Sequence, residues 1–338
     1  MDVLSDVLQV IRLNGAVLFR ISAAPPWAFV TPPPDLLASQ AQASSRLMVF
    51  HVVVEGACCV QLPPAAPQRL TAGEAVVLPR CDVHVLADEP GRKPVSAIEL
   101  MGETPLVRLR DVVWGESDTP TRILCGFLST GQTDFEPLFA ALPPLFRVSF
   151  RDGDNNGAPG LEALLAHATR EIISSSDGAA GVRLRITELL FVEALRRYML
   201  SLPGDEAGWL AGLRDPVVGK ALALLHADPC HAWSVTELAS RTAVSRSGLA
   251  TRFKHLLGEA PMHYLARWRL LLAVQQLHDS RHSIATIAES SGYDSAAAFQ
   301  RAFKRFHGET PAACRKRLRA SGSRAASDAA PRPAPVDR

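Results

Sequence analysis

Over residues 1 to about 150, apolar positions fall in short runs: AVLFRI, RLMVFHVVV, ACCVQL, EAVVLP, VSAIELM and TRILCGFL. Pro- and Gly-rich clusters such as APPWAFVTPPPD and DEPGRKP separate them. Short runs rich in Val, Ile, Leu and Phe with frequent turns predict an all-β sandwich or barrel. Past Gly160 the period becomes helical. LEALLAHATREII and VRLRITELLFVEALRRYML predict two helices joined by the loop SSSDGAAG. On the second, Leu184, Leu189, Phe191, Val192, Leu195, Tyr198 and Met199 cover more than half the circumference. Arg185, Glu188, Glu193, Arg196 and Arg197 fill the polar remainder. So wide an apolar surface asks for partners on two sides, one in this chain and one on a second copy. Residues 160–202 therefore read as a dimerisation segment and 203–214 as a linker.

From residue 215 the helical pattern repeats itself. Asp215 followed by Pro216 is a helix opening. The motif FKxxxGExP occurs at 253–261 and again fifty residues on, at 303–311. Each copy is preceded by a short capped helix, SVTELASRTA from Ser234 and SIATIAESSG from Ser283. In the first copy Ser234 and Glu237 fit a capping box, and Val235, Leu238 and Ala239 form the buried stripe. Ser245 caps a second helix with Leu249, Phe253, Leu256 and Leu257 inward. Its outward face holds Arg246, Ser247, Ala250, Thr251 and Lys254. In the second copy Ile284, Ile287 and Ala288 pack the first helix, Asp294 or Ser295 caps the next, and Phe299, Ala302, Phe303 and Phe306 point inward. Ala296, Ala297, Gln300, Arg301 and Lys304 remain outside. A helix, a turn and a helix with a polar, basic outer face is the shape that enters a major groove. The helix between the copies, about 26 Å long at ~1.5 Å per residue, suits two such helices on successive grooves of one DNA face. Arg315, Lys316, Arg317 and Arg319 on a last helix suit phosphates, and the Ala-, Pro-, Ser- and Arg-rich residues 320–338 read as a disordered tail.

Charge sharpens this division. The chain's net charge of +2 conceals 16 Lys and Arg against 8 Asp and Glu over 214–320, and 17 against 24 over 1–213. A basic module joined to an acidic one matches a phosphate-binding domain attached to a domain with another task. At 338 residues, 47% hydrophobic and 21% charged, the chain is long enough for two cores. No apolar run reaches the ~20 residues of a membrane span, and the acidic start MDVLSDVLQV lacks a secretion signal's basic residues. A cytoplasmic protein without membrane contact is expected. The six cysteines show no CxxC spacing, which argues against a zinc ribbon and a disulfide framework.

One stretch of the N-terminal part is more specific. Residues 73–88, GEAVVLPRCDVHVLAD, resemble the second cupin motif, with Cys81 where the motif has Gly and Asp88 where it has Asn. His84 would then point into the barrel. The strand matching the first motif, FHVVVEGACCV, offers His51 and Glu55 but no His-x-His pair, too few ligands for a catalytic metal. No catalytic residue, metal or cofactor is assigned. His51, Cys81, His84 and Cys125 stand as candidates for effector contact or thiol redox; a buried free cysteine is otherwise an inert small hydrophobe.

The segments SVTELASRTAVSRSGLATRFKHLLGEAPMHYL and IATIAESSGYDSAAAFQRAFKRFHGETPAACR resemble the DNA-binding domain of the AraC/XylS family of transcriptional regulators. The upstream HVVVEG, AVVLPRCDVH and ILCGFL resemble the branch with a cupin-like effector domain. The resemblance implies an α+β multidomain chain: a cupin-like β-barrel (1–150), the helical dimerisation segment, the linker, and an all-α domain with two helix-turn-helix units (215–319). It implies a homodimer on double-stranded promoter DNA, controlled by a small molecule or a thiol signal, with RNA polymerase as partner if it activates. The family's base-reading positions fall on Ser247, Ala250, Thr251, Ala297 and Arg301. Arg301 alone among them is a strong donor, suited to guanine. Arg246, Lys254, Ser295, Gln300 and Lys304 complete the expected DNA face. The competing expectations are a metal-dependent cupin enzyme with an appended DNA-binding domain, and a DNA-repair scaffold; the second would need a cysteine cluster for zinc or alkyl transfer.

Overall fold

The computed structural model describes residues 2–40, 46–101, 111–130, 135–151, 160–174, 176–203 and 206–328. It divides into two compact units: Arg12–Glu206, rich in strands, and a helical unit made of Met1–Ile11 together with Ala207–Arg338.

The strand-rich unit holds two sheets. The six-stranded one orders β11 (Phe146–Ser149), β6 (Glu74–Leu78), β3 (Leu47–Glu55), β10 (Thr121–Thr130), β1 (Leu13–Ala23) and β9 (Asp111–Trp114). The five-stranded one orders β5 (Gln68–Thr71), β4 (Ala57–Gln61), β7 (Val85–Ala87), β2 (Ala28–Val30) and β8 (Val95–Ser96). The expected closed barrel is not formed among the described residues: each sheet keeps its own edge strands, and no strand pairs into both. The core lies between the sheets, where Phe19, Val49, Val53, Val76, Leu86 and Phe127 meet. β3 and β10 run antiparallel at the centre, with Cys125 directly across from His51. VSAIELM, expected as one strand, splits into β8 and the short helix α3 (Ala97–Met101). Conversely, the Pro-rich separator APPWAFVTPPPD contains β2.

Helices α5 (Leu161–Ile173) and α6 (Ala179–Ser201) pack on each other, and α6 lies on β1, β10 and β11. The polar strip expected on α6 is partly a core feature. Glu193 and Arg197 are buried, joined to each other at 3.0 Å, and Arg197 also donates to the Ser149 carbonyl. The ion pair and the carbonyl contact offset part of the cost of burying these charges, while Arg197 Nη2 is buried without a hydrogen-bond partner; spacing alone does not reveal this arrangement. Leu189 is the reverse case, half exposed at 50%.

In the helical unit, α1 (Val3–Ile11) buries Val3, Leu4, Val7, Val10 and Ile11 against α8 (Val218–Ala227) and α11 (Pro261–Asp279). The first eleven residues thus belong with the chain's last third, although their sequence adjoins the strands. The stretch 203–214 is not all linker: α7 (Trp209–Arg214) sinks Trp209 and Leu210 into the core, and the Trp209 indole donates to the Tyr264 hydroxyl. Asp215, expected as the N-cap, lies two residues ahead of the cap position Val217; its carboxylate still accepts from the Val217 and Val218 amides at the start of α8. The last helix, α14 (Pro311–Asp328), continues through residues expected to be disordered as far as Asp328; 329–338 lie outside the described residues.

Candidate nucleic-acid interface

Two helix pairs flank α11. The first is α9 (Val235–Arg241) and α10 (Arg246–Leu257), the second α12 (Ile284–Ser290) and α13 (Ala296–His307). All four begin on a serine whose hydroxyl accepts an amide of the first turn: Ser234 from Glu237, Ser245 from Gly248, Ser283 from Thr286 and Ser295 from Ala298. Such caps stabilise a helix start by about 1 kcal/mol each. The capping box at Ser234 is only half closed, because the Glu237 carboxylate turns instead to His231 and Arg241. The FKxxxGExP repeat is also explained. Phe253 and Phe303 are fully buried, Gly258 and Gly308 end α10 and α13 at φ 76° and 75°, and Pro261 and Pro311 open the helices that follow. A left-handed cap of this kind favours glycine because it carries no Cβ.

With these anchors set, the outer faces are fixed. On α10, Arg246, Ser247, Thr251 and Lys254 are exposed and Ala250 is half-buried; on α13, Ala297, Gln300, Arg301 and Lys304 are exposed. Ser295 is exposed too, though its hydroxyl is occupied as the cap. Arg252 at the edge of the α10 face is drawn off to Asp215 at 2.6 Å. Phe306, expected inward, is 41% exposed. On α14, Arg315 donates to the His282 carbonyl and Arg317 to Glu309, whereas Lys316 and Arg319 remain exposed. Arg269, not singled out by sequence reasoning, braces the assembly from α11: it donates to the carbonyls of Pro229, His231 and Gly292. Its signal would have been a lone basic residue on an otherwise apolar helix face.

The four candidates in the strand-rich unit divide into three that touch and one that serves the backbone. The His51 and His84 rings face each other with Nε2 atoms 2.7 Å apart, and His51 Nδ1 lies 3.0 Å from Cys125 Sγ. His84 Nδ1 lies 2.7 Å from the Asp82 carbonyl oxygen and 3.2 Å from the Thr31 hydroxyl. Burial holds both imidazoles below their ordinary pKa, His84 at about 4, and pushes the Cys125 thiol well up. At neutral pH all three are uncharged. Cys81 is buried in the turn before His84 at φ 54°, a left-handed conformation that glycine adopts without strain. Among the described residues no group of three or more His, Cys, Asp and Glu side chains is placed to hold a metal ion, and no helix is long and apolar enough to cross a membrane.

Comparison with known proteins agrees with both parts. Residues 2–200 match a cupin family model and 238–317 a helix-turn-helix domain model. An AraC-like transcription regulator of Streptomyces lividans is 33% identical over 319 residues, 94% of this chain and 98% of that protein. The HTH-type transcriptional regulator AlkR of Acinetobacter baylyi is 28% identical over 314 residues, 92% of this chain and 98% of its own. Among solved structures, the DNA-binding domain of the global transcriptional factor AdpA in complex with a target DNA is 33% identical. The match covers 32% of this chain and 96% of that one, with a TM-score of 0.30. With a cupin domain followed by a helix-turn-helix domain and a full-length relative of this kind, the chain belongs to the AraC-like, DNA-binding transcriptional regulators.

Proposed function

We propose that α10 and α13 act as paired recognition helices of two helix-turn-helix units, entering successive major grooves of operator DNA. The observation that carries this reading is the matched build of the two pairs: the same serine caps, buried phenylalanines and glycine stops, with a polar face left exposed on each second helix. The faces are unequal. Ser247, Ala250 and Thr251 on α10 are small, so the first unit works mainly through phosphate contacts from Arg246 and Lys254 and through DNA shape. On α13, Arg301 reads a guanine edge, with Gln300, Ala297 and Lys304 beside it. The α6 face carrying Val182, Leu189 and Leu200, exposed at 39%, 50% and 38%, joins two copies. Input reaches the protein through the cupin domain as a small molecule or a thiol signal, close to His51, His84 and Cys125. RNA polymerase is a further partner if the protein activates. A metal-dependent cupin enzyme would need ligands beyond His51 and His84, and nothing observed favours it.

Footprinting on the protein's own upstream DNA tests the assignment of Arg301. Arg301→Ala should lose ~1–3 kcal/mol of binding and relax preference at one base pair, while Lys254→Ala should weaken all sequences alike and lower the salt slope. An Arg301→Ala protein with the wild-type footprint and affinity would remove Arg301 as a base reader.

A further inference from the structure

Three buried side chains of the strand-rich unit form a directional chain ending on a thiol, and a signalling role for it rests on reading this unit as the regulator's input. The Asp82 carbonyl can only accept, so His84 Nδ1, 2.7 Å away, carries a proton. His84 Nε2 is then an acceptor, and His51 Nε2 donates to it at 2.7 Å. That leaves His51 Nδ1 bare, accepting from Cys125 Sγ–H at 3.0 Å. His51, His84 and Cys125 are 2%, 1% and 0% exposed. In front of His51 and Cys125 lies a void with about 30 Å³ open to water-sized molecules, walled by Phe19, Phe29, Leu86 and Phe127. One water needs ~10–15 Å³ by that measure, so the void takes about two heavy atoms. Ligand pockets for drug-sized molecules run to ~300–1,000 Å³. Thr31 and Ala97, half-buried, line the same void.

We propose that Cys125 is a modification site for a small neutral oxidant HO–X, hydrogen peroxide or hypochlorous acid, which enters this void and oxidises the thiol while His51 and His84 take its proton. With hydrogen peroxide the Sγ–O bond forms as the O–O bond breaks. The thiol proton passes to His51 Nδ1 as His51 hands its Nε2 proton to His84. The path then reverses to protonate the departing hydroxide, giving water and a sulfenic acid. With hypochlorous acid the Sγ–Cl bond forms as O–Cl breaks, hydroxide leaves as water by the same route, and a second water replaces chloride to give the same sulfenic acid and HCl. Sulfur is oxidised and the oxidant reduced in both. The relay is needed because burial keeps the resting thiol protonated, and the thiolate is the nucleophile. The apolar wall turns away charged and bulky reagents. Placing a hydroxyl on sulfur there puts a polar group against Phe19 and Phe127, which burial penalises and which gives the signal a route into the packing between the sheets.

The test treats reduced, full-length protein with hydrogen peroxide, hypochlorous acid or tert-butyl hydroperoxide, then dimedone, and follows each cysteine by mass spectrometry. Cys230, the exposed free cysteine, is the internal control. Cys125 should be labelled before Cys230 by at least one of the two small oxidants, and at least tenfold more slowly by tert-butyl hydroperoxide. The arm that labels faster identifies the oxidant. His84→Gln, shown folded by its thermal melt, should slow labelling of Cys125 at least tenfold. Labelling of Cys230 with Cys125 still reduced, or equal rates with the large and small peroxides, would overturn the proposal whatever the variant does. Binding of the reduced protein to its operator is measured in parallel. Operator binding by a protein whose Cys125 resists oxidation removes the thiol site alone, whereas failure of both the reduced and the oxidant-treated protein to bind strikes the regulator reading itself.

Discussion

His226 shows how one buried side chain ties stability to pH. It stacks on Trp268 with ring centroids 4.1 Å apart, hydrogen-bonds the Tyr264 hydroxyl at 2.7 Å, and presents Nδ1 to the Asp6 carboxylate of α1 at 3.4 Å. Burial lowers its pKa to about 3, so the contact with Asp6 is that of a neutral ring rather than an ion pair. The unfolded chain, with an imidazole near ~6.5, takes up a proton first as pH falls. Stability from the neutral ring is complete above pH ~6.5 and is lost progressively towards pH 3. The loss is about 1.4 kcal/mol per pH unit from this residue alone. Hydrogen exchange in α8 and α11, compared at pH 7 and 5.5, should show that loss in the wild type and a flatter dependence in His226→Gln. Equal slopes would contradict the assignment. One of the differences between the two helix pairs is of equal interest. Ala243 in the first turn stands at φ 59°, where the second turn has Gly292 at φ 71°. A Cβ on Gly292 would meet the Arg269 guanidinium at 3.0 Å and the Cys230 carbonyl at 3.2 Å, so an alanine in the second turn would require these neighbours to give way by a few tenths of an ångström.

Among the elements, α6 carries the largest consequence. Its inner side rests on the six-stranded sheet, with Leu190, Phe191, Ala194 and Leu195 buried. Its outer side repeats apolar residues at 182, 189 and 200, spaced by whole numbers of helical turns. Leu189→Glu should convert a dimer to a monomer in light scattering at micromolar concentration, with the variant still folded by circular dichroism, since within one copy this side chain is half exposed and has little packing to lose. A wild-type protein already monomeric there, or a variant still dimeric, would exclude this face. Helix α1 acts across the length of the chain instead. Its five buried apolar residues belong to the helical unit, so the DNA-binding unit is built from both ends of the sequence, and residues 207–328 by themselves lack part of their core.

Across the whole molecule, legibility followed the range of the forces involved. The helix pairs were readable because caps, stripes and glycine stops are local: Ser245, Phe253 and Gly258 lie within one element and its ends. So was the sheet-rich character of the first half. The barrel was not, because closure depends on which strands pair across the sheets, and alternating Val and Ile serve an open sandwich equally well. His51, His84 and Cys125 were each nameable, but their alignment depends on the register that sets Cys125 opposite His51 and on the turn at Cys81. Glu193 and Arg197 looked like surface residues because nothing near them in sequence announces a buried carbonyl at Ser149. The role proposed for the two helix faces is sequence-specific DNA recognition. Selection of bound duplexes from random DNA by the full-length protein, at moderate salt, tests it most directly. An enriched site with two blocks about one helical turn apart, a guanine in one block losing its enrichment in Arg301→Ala, is the predicted result. Bound pools indistinguishable from the input library would contradict it.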